Sequence, residues 1–205
     1  MAVEELLALG DRVVAMAREG EQVEAVVVRE TDTEIKVYEG EVESLSSART
    51  QGVGIRVVVD HRQGFAYAGT LEEEVLAETL AEARDNAAFG TPDEYLGLAE
   101  PDGVAPAELD LWREPLTDFP TDRKVALALE LERAVRAADP RISGIESAEY
   151  VDSMAESAVV TTTGIRRGGR DTSCYLATYA LASERGETQT GFGFSVGREP
   201  AELDV

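Results

Sequence analysis

One histidine and one cysteine are the only side chains in this sequence whose chemistry could serve a soft metal or a thiolate nucleophile. His61 stands between Asp60 and Arg62 in a tight-turn pattern, with no partner at metal-ligand or acid–base spacing. It reads as an exposed turn residue. Cys174 opens an apolar strand pattern, "CYLATYALA", and reads as a buried structural thiol. A Cys–His pair would have to bridge two separate modules. The local positive cluster is "RRGGR", residues 166–170. Glycine exposes backbone donors and arginine forks onto carboxylate or phosphate, so an anion could sit there. No Gly-Lys-Ser/Thr follows and no parallel β–α unit surrounds it, so the plainer reading is a solvated hairpin loop or a contact to an acidic subunit. Gly52-x-Gly54 falls inside a strand pattern, which leaves a dinucleotide reading weak. Glu72, Glu73 and Glu74 suit the first turn of a helix, where the dipole favours negative charge. Trp112 reads as an apolar anchor, with ligand stacking the sharper alternative. No catalytic, cofactor-binding or metal-binding residue is assigned from these patterns.

The elements that would position such residues follow from periodicity. Residues 3–18 carry Leu6, Leu7, Val13, Val14 and Ala17 on one helical face, with Gly20 as a C-cap. Alternating runs then predict antiparallel strands: "QVEAVVVRE", "EIKVYE", "EVESLSSA", "GVGIRVVVD" and "FAYA", turned at Glu39-Gly40 and at "DHRQG". Thr70 and Glu73 fit a capping box, opening a helix that carries Leu71, Val75, Leu76, Leu80, Ala83 and Ala87. A second helix is predicted from Thr121 or Asp122 to Asp139-Pro140. After it come the strands "ISGIESAEYVD" and "SAVVTTT", the basic loop, and a hairpin of "SCYLATYALAS" with "TQTGFGFSV".

Between the two helix-and-meander series, residues 91–122 hold five of the seven prolines, nine acidic residues and one basic residue, Arg113. Proline blocks helix and like charges extend a chain. Tyr95, Leu98, Leu109, Leu111, Trp112, Leu116 and Phe119 are nevertheless too apolar for free coil, so this stretch reads as a strap lying on the folded surface. The expected fold class is α+β, in two modules of helix plus antiparallel β-meander. The expected domains are 1–90, the strap 91–122, and 123–205.

At 205 residues and 43% hydrophobic content, the chain can build real cores, and with 6% aromatics they must be largely aliphatic. A net charge of −22 opposes nucleic-acid and anionic-membrane partners. No apolar run reaches the roughly 18 residues of a membrane span. The start lacks a basic, then apolar, leader pattern. A single cysteine cannot form an intrachain disulfide and fits a reducing compartment, so the expected location is the cytoplasm.

Residues 40–87, with "GEVE", "GVGIRV" and "GFAYAG" in order before a helix, resemble the N-terminal domain of the TldD/PmbA (TldD/TldE) family. "VVTTTGI", "TSCYLATYALA" and "TQTGFGFSVGREPAELD" resemble its central domain, with a tone closer to the PmbA (TldE) branch. The resemblance implies a two-subunit TldD/TldE assembly, similar to a zinc-dependent peptidase that degrades or trims unfolded or modified peptides. An older family name is modulator of DNA gyrase. It implies that zinc is held by a His-Glu-x-x-x-His helix in the C-terminal domain of the TldD-type partner. That motif does not occur in this sequence, so no zinc ligand is carried over and this chain alone is expected to be inactive. The pattern "REPAELDV" starts a new amphipathic helix, so the expectation is that a C-terminal domain is absent here. The expected partners are a TldD-type subunit or further copies of the chain, with a peptide substrate in the assembly. The competing expectation is an acidic protein-binding regulator of gyrase-modulator type with no peptidase role.

Overall fold

A computed structural model describes residues 2–205. The chain runs through helix α1 (Ala2–Ala15), strands β1 (Gln22–Tyr38), β2 (Glu41–Val59) and β3 (Arg62–Ala68), then helix α2 (Glu73–Phe89). A long irregular stretch leads to the single turn α3 (Glu114–Thr117) and to helix α4 (Thr121–Ala138). Strands β4 (Ile142–Thr161), β5 (Arg166–Glu184) and β6 (Glu187–Gly197) follow, and a 3-10 turn occupies Pro200–Glu202. Hydrogen bonding orders the strands β3-β2-β1-β4-β5-β6. The α+β class and the antiparallel meanders agree with the sequence reading.

Three hairpins close through two-residue turns in which both residues have positive φ: Glu39-Gly40, Asp60-His61 and Arg185-Gly186. That conformation matches the right-handed twist of paired strands and sets register at each turn. The β2–β3 register runs from Val59↔Arg62 to Val53↔Ala68.

The compact units interleave along the chain rather than following one another. Unit 1 comprises Met1–Glu30, Thr50–Leu109 and Ala155–Arg170; unit 2 comprises Thr31–Arg49, Asp110–Met154 and Asp171–Val205. The reason is strand length. At ~3.3 Å per residue, strands of 17 to 20 residues outrun one helix-covered core. Thus β1 gives 22–30 to unit 1 and 31–38 to unit 2, and β4 gives 142–154 to unit 2 and 155–161 to unit 1.

In unit 1, Val23, Ala25 and Val27 alternate inward with Val53, Ile55, Val57 and Ala66. They meet Leu6 and Val13 of α1 and Leu76, Leu80 and Ala83 of α2. Gly64 is where α2 lies flat on β3: a Cβ there would come 2.0 Å from Ala83 O. In unit 2, Ile35, Val37, Ile145, Ala148, Tyr150, Cys174 and Leu176 pack with Leu116, Ala128 and Leu131.

Several local expectations change. Helix α1 ends at Ala15, and Gly20 lies in the following turn at φ +82°. The Thr70–Glu73 capping box does not form; α2 begins at Glu73 with Glu72 as an N-cap that makes no side-chain cap bond. Thr70 Oγ1 accepts only a 3.4 Å bond from Glu72 N–H. The pairs of strands predicted in 22–39, 41–60 and 142–163 are each one continuous strand. Residues 101–110 of the strap are all exposed, and the apolar residues that anchor the segment are Leu98 and Leu116, both buried.

Candidate functional site

The residues singled out in the sequence do not converge. His61 is exposed at the β2–β3 turn, and its carbonyl accepts the Asp93 N–H at 2.8 Å. Cys174 is fully buried on β5, with Sγ directed at Gly197 O at 3.7 Å. Burial, then the negative charge of Asp152, pushes its thiol up to about 12, so at neutral pH it is a buried neutral thiol. His61 belongs to unit 1 and Cys174 to unit 2. Among the described residues no group of three His, Cys, Asp or Glu side chains could hold a metal ion. The donor set of these residues therefore does not fit the zinc site that the family resemblance implies.

The "RRGGR" segment is not a loop. It is the start of β5, and Arg166 and Gly168 have structural uses there. Arg166 bonds Asp11 and Glu4 of α1 at 3.1 and 2.6 Å. Gly168 passes under the same helix, where a Cβ would meet Val3 Cγ1 at 2.5 Å. Glu73 and Glu74 fall in the first turn of α2 as expected. Gly54 lies within β2 beneath the ring of Phe65, in keeping with a strand and not a dinucleotide loop. Trp112 is half-buried, and its indole N–H donates to Glu114 Oε1 at 2.9 Å.

Two features of unit 2 stand apart from those residues; the first was not legible in the sequence, while the second falls on the apolar strands "CYLATYALA" and "GFGFSV", which read in sequence as needing cover. The first lies between α4 and the sheet. Lys124 Nζ sits 2.5 Å from Asp152 Oδ2 and 3.4 Å from Thr33 Oγ1, with the lysine side chain 7% and the aspartate 0% exposed. Tyr150 is two residues before Asp152 on the same strand face and is also fully buried; its hydroxyl has no well-directed hydrogen bond, nor has either Asp152 oxygen. Burial first, then the Asp152 charge, raises the Tyr150 pKa above the ordinary phenol range. The cluster is a charge pair sealed from solvent. No substrate could reach it without opening α4, so it is a buried pair within unit 2 and not an open catalytic site.

The second feature is the opposite face of β5 and β6. Odd-numbered β5 residues pair with even-numbered β6 residues: Tyr179↔Phe192, Ala177↔Phe194, Tyr175↔Val196. Cys174 and Leu176 point to the core, so this row points away from it. Phe192, Phe194 and Val196 are 63%, 68% and 62% exposed. The rings form a chain, Tyr179 to Phe192 at 6.2 Å and Phe192 to Phe194 at 5.7 Å between centroids. Beside Tyr179 lies a cleft of about 360 Å³ lined by Lys36, Glu43, Glu146, Ser147 and Glu149. The arrangement offers apolar contact and strand-edge hydrogen bonds; it is suited to holding polypeptide, not to proton transfer.

Known proteins place this architecture. Residues 23–87 match the PmbA/TldA metallopeptidase domain 1, and residues 114–205 match the PmbA/TldA metallopeptidase central domain. The metalloprotease PmbA of Escherichia coli is 26% identical over 184 residues, covering 89% of this chain and 40% of that protein. A PmbA homolog of Haemophilus influenzae is 27% identical over 131 residues, 64% of this chain and 29% of the homolog. The chain thus spans less than half the length of these relatives. Among solved structures, TldE from Thermococcus kodakarensis superposes with a TM-score of 0.75 at 21% identity, over 97% of this chain and 43% of its own. A candidate modulator of DNA gyrase from Bacteroides thetaiotaomicron reaches 0.82 at 16% identity, over 98% and 46%. A similar candidate from Thermotoga maritima gives 0.76 at 18%, over 96% and 44%. These structural likenesses carry the fold alone. The two matched domains, in order and over most of the chain, make it a member of the PmbA/TldD metallopeptidase family.

Proposed function

We propose that residues 1–205 form the non-catalytic front portion of a PmbA/TldD-type metallopeptidase assembly that degrades unfolded or modified peptides in the cytoplasm. The observation that carries the reading is the ordered match to the family's first and central domains, combined with a donor set that offers one histidine and one cysteine. These residues then scaffold and grip an extended peptide through strand edges, while a TldD-type subunit supplies zinc through its His-Glu-x-x-x-His helix. Backbone pairing to a strand edge suits substrates without a fixed sequence.

The test is a peptidase assay on an unfolded protein substrate, with the purified chain alone and with a TldD-type partner. The expected result is hydrolysis only in the mixture, abolished by a chelator. Zinc retained by the dialysed chain alone, with turnover, would overturn the assignment. A second reading is an acidic regulator without peptidase role. The net charge of −22 and the gyrase-modulator naming of structural relatives favour it. Capture of a topoisomerase, and not of a TldD-type subunit, by the immobilised chain would decide for that reading.

A further inference from the structure

We propose that β6 is a self-association edge: it pairs antiparallel with β6 of a second copy, about a two-fold axis at Phe192. A β6 edge held by a second copy leaves peptide to the other strand edges.

β6 ends the strand order, so one side of its backbone has no strand partner. Residues 187–194 are all exposed. Proteins protect such edges with charge, proline or bulges. Unit 2's other free margin follows that rule, since the part of β2 before its pairing with β3 begins at Val53 carries Glu41, Glu43 and Arg49. Residues 188–197 carry no charge and no proline, in a chain where 29% of residues are charged. The aromatic row of Phe192, Phe194 and Val196 stands on this unprotected strand.

A second copy fits the edge better than an arbitrary peptide does. A two-fold axis perpendicular to the sheet keeps the aromatic face on one side in both copies. Centred on Phe192, it sets Thr190 opposite Phe194 and Thr188 opposite Val196, aromatic and aliphatic side chains against β-branched ones. The pairing ends with the strand at Glu187 and Gly197; beyond it Arg198 is held by Asp171 of its own copy and Glu199 lies near its own Arg113. The uncharged strand lets two acidic molecules approach without like charges in direct contact. A single strand pair is a small interface, so the dimer is weak, with Kd of roughly micromolar order.

Cysteine placement reads the register. Cys174 is buried and silent. Phe192→Cys puts two thiols face to face on the axis, so mild oxidation should give a disulfide-linked dimer. Phe194→Cys faces Thr190 and should link far more slowly. In sedimentation, wild type should show a monomer–dimer equilibrium, and Thr190→Lys/Phe194→Lys, folded by circular dichroism, should weaken it at least ~10-fold. Equal linking at 192 and 194, or none at either, overturns the proposal. So does a wild-type monomer that binds an uncharged extended peptide and not itself, which would assign the edge to peptide.

Discussion

Lys124 and Asp152 show how much a single residue's setting matters. One lies on α4 and the other on β4, and each reads in sequence as an ordinary surface charge. Packing removes both from water and leaves them as each other's counter-ion at 2.5 Å. Desolvating two ions is costly, and their attraction only roughly offsets it, so the pair is not a large net stabiliser. Breaking it is a different matter. Lys124→Met should leave the Asp152 carboxylate buried and uncompensated, at a cost of about 3–5 kcal/mol. The double change Lys124→Met/Asp152→Asn should recover part of that loss. Urea unfolding of the two variants checks this; a neutral single substitution would mean the carboxylate is hydrated in solution. Tyr150 adds a second buried polar group beside the same carboxylate. Cys174, by contrast, was legible from sequence: an apolar strand position is enough to identify an inert thiol.

At the scale of elements, α4 is tied to the β1–β2 hairpin by one carboxylate. Glu132 accepts the N–H groups of both turn residues, Glu39 and Gly40, at 2.8 Å, and Arg136 at 3.0 Å. Its side chain is 3% exposed. Burial raises its pKa, but the bonds from Arg136, Gly40 and Glu39 outweigh that, and the net shift is downward from 4.5. A depressed carboxylate contributes stability that is fully present above its unfolded value. The contribution is lost as pH falls through the lower folded value. Glu132→Gln should therefore destabilise at neutral pH by about 1.5–3 kcal/mol. The variant should also lose less stability than wild type when both are taken below pH ~4.5. Parallel losses for the two proteins would sever the hairpin clamp from acid unfolding. This clamp was invisible in the sequence because a helix-face glutamate says nothing about a turn 92 residues away. The helices, the hairpin turns and the inward alternation of Val23, Ala25, Val27 and Ile35, Val37 were legible, since period and turn chemistry are local. The interleaving of the units was not, because it depends on which helix covers which half of a long strand. "RRGGR" misread as a loop has the same cause: Gly168 answers to packing under α1 and Arg166 to Asp11 of that helix, more than 150 residues away in sequence.

For the whole molecule, charge and exposed apolar surface act in opposition. A net charge of −22 keeps copies apart, while β6 and its aromatic row draw them together. Repulsion between whole molecules acts over a Debye length, about 30 Å at 0.01 M salt and about 8 Å at 0.15 M. The strand pairing and aromatic contacts act at contact distance and are barely screened. Salt therefore removes the opposing term first. Association should strengthen from low to physiological ionic strength, the reverse of an interface held mainly by ion pairs. Light scattering at fixed protein concentration over a salt series measures this directly. A mean mass that rises with salt, and rises further with a TldD-type subunit present, supports assembly through apolar surface. A mass that falls with salt would place the contacts among charged side chains instead, and an unchanging monomer with and without that subunit would count against assembly altogether.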